Sequence, residues 1–183
     1  RLLALFAGAC AANSANIVGA HITTTRDGFA LDTFLLAREF DEDEDEQRRA
    51  TRIGDTIDRL LKGEVRLKFL LEKRRPPAGR LEAFTVSPEV IINNTLSDRF
   101  TVIEVAGRDR NGLLYDLTST LSDLSLDIAS AHITTFGEKA VDVFYVTDLT
   151  GKKVVSDARQ KTIAQRLSAV LSGQSNSDRP PLR

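Results

Sequence analysis

The chain of 183 residues has no methionine, no tryptophan and a single cysteine, Cys10. One cysteine excludes a disulfide framework within the chain, and the apolar neighbours in LFAGACAAN mark a buried thiol rather than a reactive one. An excess of charge of either sign is also lacking. With 25 basic and 26 acidic residues the net charge is −1, which leaves no basic footprint for nucleic acid. No apolar run approaches the length of a membrane span. RLLALFAGACAA has the look of a signal-peptide core, but no initiator methionine precedes it, so a segment cut from a longer cytoplasmic protein is expected. Glycine-rich phosphate loops are missing: neither G-x-G-x-x-G nor a Gly-Lys-Ser/Thr ending occurs. Two histidines cannot build a histidine–aspartate hydrolase metal cluster, so no catalytic residue and no metal site are assigned.

What the chain does have is a repeat. NIVGAHITT (16–24) and DIASAHITT (127–135) are the same segment offset by 111 residues. With one residue gained in the turn, Ala30, Asp32 and Phe34 fall on Ala140, Asp142 and Phe144, and further back Leu2 and Leu3 fall on Leu113 and Leu114. Such a repeat constrains the fold before any single element does. Each unit has the pattern helix, strand, short glycine-bearing turn, strand, helix, and the second unit also has a leading strand at Thr101 to Ala106. Leucines at 114, 117, 121 and 124 give the second unit's first helix one buried stripe, and the closing helices are expected at 51–61 and 157–171. The fold class is α+β: two ferredoxin-like βαββαβ sandwiches, the first lacking its opening strand. That missing strand leaves a sheet edge to be covered by another segment or by self-association, within the chain or between chains. The expected division is a first unit with its connecting segment over 1–95, a second unit over 96–172, and a disordered tail over 173–183. Residues 64–75 favour a short helix, RPPAGR (75–80) breaks it, and EVIINNT (89–95) predicts a strand forming a hairpin into the second unit.

One corner carries the binding chemistry. GRDRNGLL (107–114) joins strand to helix almost directly, so a lone glycine and free backbone N–H groups lie at a helix start, suited to a carboxylate or other anion. Asp109 and Asp127, read as lying at the same end of the sheet, would offer the opposite polarity, and Asn16 holds the repeat position of Asp127. Both aspartates can also be plain strand-end and turn residues. His21 and His132, at identical repeat positions and facing away from Ile22 and Ile133, point to a structural or interface role, since a metal would need a third and fourth ligand. The six acidic residues 41–46 lack calcium-loop spacing and predict a solvated loop whose last carboxylates favour the next helix start.

GRDRNGLL, DIASAHITT, AVDVFYVTDLTGKKV (140–154) and NIVGAHITTTRDGFALDTF (16–34) together resemble the C-terminal tandem ACT domains of the bifunctional PII uridylyltransferase/uridylyl-removing family. The resemblance covers nearly the whole chain. It implies a glutamine-sensing regulatory region whose parent enzyme, with a divalent metal such as Mg²⁺, attaches UMP to the PII signalling protein and removes it. No cofactor is implied for the segment itself, whose implied partners are glutamine, PII through the parent enzyme, and other copies of the chain. Alternatives are an amino-acid-binding ACT regulator of another enzyme and a non-sensory ACT interaction module. Polar residues at the positions of Asp109 and Asp127 contact the ligand in related domains. The ligand set carried over is Asp109, Asn111, Gly112, Leu113, Asp127 and Asn16. Where the family loop has proline, this chain has Asn111, which keeps the corner polar and can cap the following helix at some loss of rigidity.

Overall fold

A computed structural model describes residues 2–25, 27–72 and 86–173. The proposed break at 75–80 and the tail from 174 onward lie outside the described residues. The first unit contains α1 (Leu2–Ala12), β1 (Ile17–Thr24), β2 (Ala30–Leu36) and α2 (Asp43–Leu61), followed by the short α3 (Leu67–Glu72). Next come β3 (Glu89–Asn93) and β4 (Thr101–Arg108), then α4 (Leu113–Asp123), β5 (Leu126–Phe136), β6 (Lys139–Asp148) and α5 (Asp157–Leu171).

The strands make one six-stranded antiparallel sheet in the order β2-β1-β5-β6-β4-β3. The two units therefore join edge to edge within the chain, through β1 and β5. Their register is Ala20↔Ile133, His21↔His132 and Ile22↔Ala131. Because His132 is the repeat equivalent of His21, each partner pairs with its own copy, and a local two-fold axis passes between the two histidines. The αL turns that follow α1 and α4 obey the same symmetry: Ser14 (φ 56°) and Ser125 (φ 57°) hold equivalent positions. The hairpin expected from EVIINNT forms, with β3 alongside β4 from Glu89↔Ala106 to Asn93↔Val102.

Strand alternation places the core. On β6, Ala140, Asp142, Phe144 and Val146 are buried under the helices, while Val141, Val143 and Tyr145 line the opposite face and are half-buried. On β2 the same alternation sends Phe34 toward the core and leaves Leu31 and Leu35 exposed. A single apolar cluster runs through both units, from Leu3, Ala7, Ile17, Ile22 and Ile53 to Leu117, Leu121, Phe144, Ile163 and Leu167. Helix α1 lies against α4 across the local two-fold, and Gly8 permits the approach: a Cβ there would stand 2.9 Å from Tyr115 Cδ2 and would collide with Leu67.

One local expectation is corrected. The acidic stretch is not a loop throughout: Asp43, Glu44, Asp45 and Glu46 form the first turn of α2. Four carboxylates there favour the positive end of the helix dipole, and Glu46 also accepts hydrogen bonds from the backbone N–H groups of Glu39 (2.6 Å) and Phe40 (2.8 Å). Those bonds, with the Phe40 amide the larger influence, hold its carboxyl below the usual range. Arg49, buried, is held by Glu46 at 3.2 Å and by the Ala37 carbonyl at 3.0 Å, which ties α2 to the end of β2.

If the α1–α4 contact holds the units together, Gly8→Val should destabilise the whole chain. The expected loss is about 1–3 kcal/mol, the usual range for overpacking a filled site. Urea unfolding followed by circular dichroism measures it, and a single transition at lower midpoint is the expected result.

Candidate functional site between the two units

The corner after β4 is built by a tight turn. The Leu113 amide donates to the Arg110 carbonyl at 3.0 Å, and Gly112 sits at φ 81°, ψ 2°, the left-handed conformation that position needs and glycine adopts without strain. Gly112 is itself the N-cap of α4, and no side chain caps it. Asn111 is exposed and does not supply the cap that its polarity suggested. The Leu113 N–H is used by the turn and is not a free donor at this helix start. Arg110 is anchored by Asp116 at 2.7 Å, an ion pair open to solvent on both sides.

Opposite this corner lies the start of β1. The Asn16 side-chain amide donates to Asp109 Oδ2 at 2.9 Å, so two residues 93 positions apart meet at the seam between the units. The hollow at the seam is lined by Asn16, Asp109, Arg110, Gly112, Leu113 and Asp142, among others. Four of the six predicted ligand residues, Asn16, Asp109, Gly112 and Leu113, thus converge, and Asn111 lies in the turn beside them. Asp127 does not. It faces Thr147 at one end of the β5–β6 ladder, whereas the Asp109 amide bonds to Glu138, next to the other end. Helix α4 runs back along the sheet between the two aspartates, so the end of β4 and the start of β5 lie at opposite ends. The antiparallel β1–β5 joint brings Asn16, the repeat equivalent of Asp127, to the corner instead.

Asp142 is the residue that sequence reasoning missed. It is 2 % exposed, its Oδ1 has no hydrogen-bond partner among the described residues, and it lines the seam. Burial pushes its carboxyl up to about 7; a backbone hydrogen bond from Thr134 opposes the rise and the nearby Asp109 charge adds to it. Its repeat equivalent, Asp32, also has an unpartnered Oδ1 and a carboxyl raised by burial. The signal was in the sequence: an aspartate on the apolar side of an alternating strand, in both copies. Cys10 is buried as expected, and desolvation raises its thiol to about 11, which leaves it a poor nucleophile.

The hollow at the seam is partly open to solvent, and its volume for a water-sized sphere is about 10 Å³, room for about one water molecule. Among the described residues no group of three or more His, Cys, Asp or Glu side chains is placed to hold a metal, and no helix is long and apolar enough to cross a membrane. The seam therefore offers an unpartnered buried acceptor and a second carboxylate already hydrogen-bonded, beside the N-terminal end of α4.

Comparison with known proteins finds a family match over the second unit. Residues 89–174 match the family model described as the ACR9-like, ACT-like domain. They form an ACT-like domain. The match begins at Glu89, the first residue of β3, so the ACT-like domain includes the strand that flanks β4 as well as the hairpin β5–β6 and both of its helices. No solved structure matches the chain. An ACT-like domain is a regulatory module, and its corner at 107–114 forms one wall of the seam.

The raised carboxyl of Asp142 has a stability consequence. The folded state holds this proton more tightly than the unfolded chain, so folding is penalised as pH rises above the ordinary value of 3.8 and the penalty levels off above about 7. Asp142→Asn removes the buried charge. Its gain should be largest at pH 8, up to about 4 kcal/mol from the size of the shift, and should vanish near pH 4. Denaturant unfolding of both proteins at pH 5 and pH 8 checks this; equal differences at the two pH values would count against a buried anion at this position.

Proposed function

We propose that the chain is an amino-acid-sensing regulatory region that takes glutamine in the seam between its two units. The single observation that carries the reading is the buried Asp142, with an unpartnered Oδ1, lining the same hollow as Asp109 and the start of α4. A free amino acid supplies the complementary pair. Its α-carboxylate suits the N–H groups of Asn111 and Gly112 at the positive end of α4, and its ammonium suits Asp109. The side-chain amide of glutamine adds a donor for Asp142 and an acceptor for the Asn16 amide, which the shorter asparagine reaches less well and glutamate would meet with a like charge.

The smallness of the hollow gives the binding a mechanical result. An amino acid cannot enter about 10 Å³, so binding must break the Asn16–Asp109 hydrogen bond and part the two units at this end. Ligand affinity and unit arrangement are then linked, as regulation requires. The same smallness favours a second reading, a non-sensory interaction module in which the seam is only a packed joint.

Membership of a PII uridylyltransferase is carried by the sequence resemblance, and we extend it as the proposal for the parent protein. A nucleotidyltransferase motif in the coding sequence upstream of residue 1 is the expected finding, and an upstream region without one would contradict it.

Calorimetry at pH 7.5 with glutamine, glutamate and asparagine decides between sensing and packing. Glutamine is expected to bind the wild-type chain, with affinity reduced at least tenfold in Asp109→Ala. No heat with any of the three ligands supports the packed joint. Equal glutamine affinity in the wild type and Asp109→Ala removes Asp109 from the site.

A further inference from the structure

The helix-free face of the sheet holds a second constellation, remote from the seam chemistry. At the local two-fold axis, His21 Nδ1 and His132 Nδ1 stand 3.3 Å apart, with ring centroids 4.8 Å apart. Both side chains are exposed, on the middle of neighbouring strands whose register pairs them directly. The His132 ring is backed edge-on by Tyr145 at 6.1 Å.

Two observations bear on what lies between these nitrogens. His21 Nε2 is 3.1 Å from Thr23 Oγ1. If that nitrogen carries the proton and donates to the hydroxyl, Nδ1 is a bare lone pair, the form in which imidazole ligates a metal, with the outer hydrogen bond fixing tautomer and ring direction. The separation itself is the second. Two imidazole nitrogens bound to one tetrahedral ion at about 2.0–2.1 Å lie about 3.3–3.4 Å apart, which is the distance the folded chain already provides. A shared proton could also occupy the gap, which requires the two rings to take different tautomers. An ion serves both rings alike.

We propose that His21 and His132 form a clip for a borderline divalent transition ion, such as zinc or nickel, held between the two Nδ1 atoms with water completing its coordination. Neutral nitrogen ligands without a carboxylate favour such ions over magnesium or calcium. With two protein ligands the site is weak. Its position gives it an effect out of proportion to its affinity, because one ligand comes from each unit and the bound ion bridges the β1–β5 joint. An ion that binds only the folded chain raises its stability by mass action.

The test uses the whole chain without a polyhistidine tag, titrated with zinc chloride and nickel chloride by calorimetry, with thermal unfolding measured in parallel. One ion per chain and a rise in Tm are expected, with magnesium inert. Either His21→Ala or His132→Ala should lower the affinity at least tenfold and abolish the Tm rise, while circular dichroism shows both variants folded. No uptake of zinc or nickel by the folded wild-type chain at millimolar concentration overturns the clip. Uptake of equal affinity in the two variants overturns it as well, since it places the ion elsewhere on the surface.

Discussion

Everything in this molecule hangs on the β1–β5 ladder. The first unit is not a complete sandwich by itself. It has only β1 and β2, and a two-stranded ribbon is marginal in water. Pairing β1 with β5 extends the sheet to six strands and lets α1 settle on α4, so that one apolar cluster serves both units. Unfolding the joint would expose the first unit's half of that cluster, including Ile17, Ala20 and Ile22 on β1 itself. Burial at the joint is thus the term that makes the first unit fold at all.

The same ladder makes the candidate site. Because β1 runs antiparallel to β5, the start of the first unit's strand arrives at the corner of the second, and Asn16 meets Asp109. The site is completed by association: Asp109, Asp142 and the start of α4 come from the ACT-like domain, and the first unit adds Asn16 across the seam. On the sheet's other face the symmetry brings His21 against His132. Two repeats joined on a two-fold axis present identical atoms to each other at the axis and dissimilar ones away from it, which is why the histidines pair as equals and the seam pairs an amide with a carboxylate.

Much of this was legible in the residues. The matched IVGAHITT and IASAHITT segments announced two copies of one strand, and the alternation around Ile22 and Ile133 correctly turned the histidines away from the core. The leucine stripe from 114 to 121 gave α4, and EVIINNT gave the hairpin with β4. The end of the sheet at which Asp127 lies was misjudged because proximity in sequence stood in for geometry: a helix returning along a sheet separates the residues that flank it by the length of the strands. Asp142 was seen as a repeat match but not as a buried charge. Its burial depends on helices covering this face of β6 while β4 and β5 flank it in the sheet, a tertiary fact that one strand's pattern only hints at. The start of α2 was placed late because the acidic run lacks apolar periodicity, although its charge suited a helix N-terminus.

The account stands or falls on the joint being a true hydrogen-bonded ladder rather than two units side by side, and amide hydrogen exchange measures that directly. If β1 and β5 are paired as described, the ladder amides of both strands should exchange only through global unfolding, with protection equal to that of β4 and β6 in the middle of the ACT-like domain. Slow exchange in β6 together with fast exchange along the β1-facing edge of β5 would contradict it.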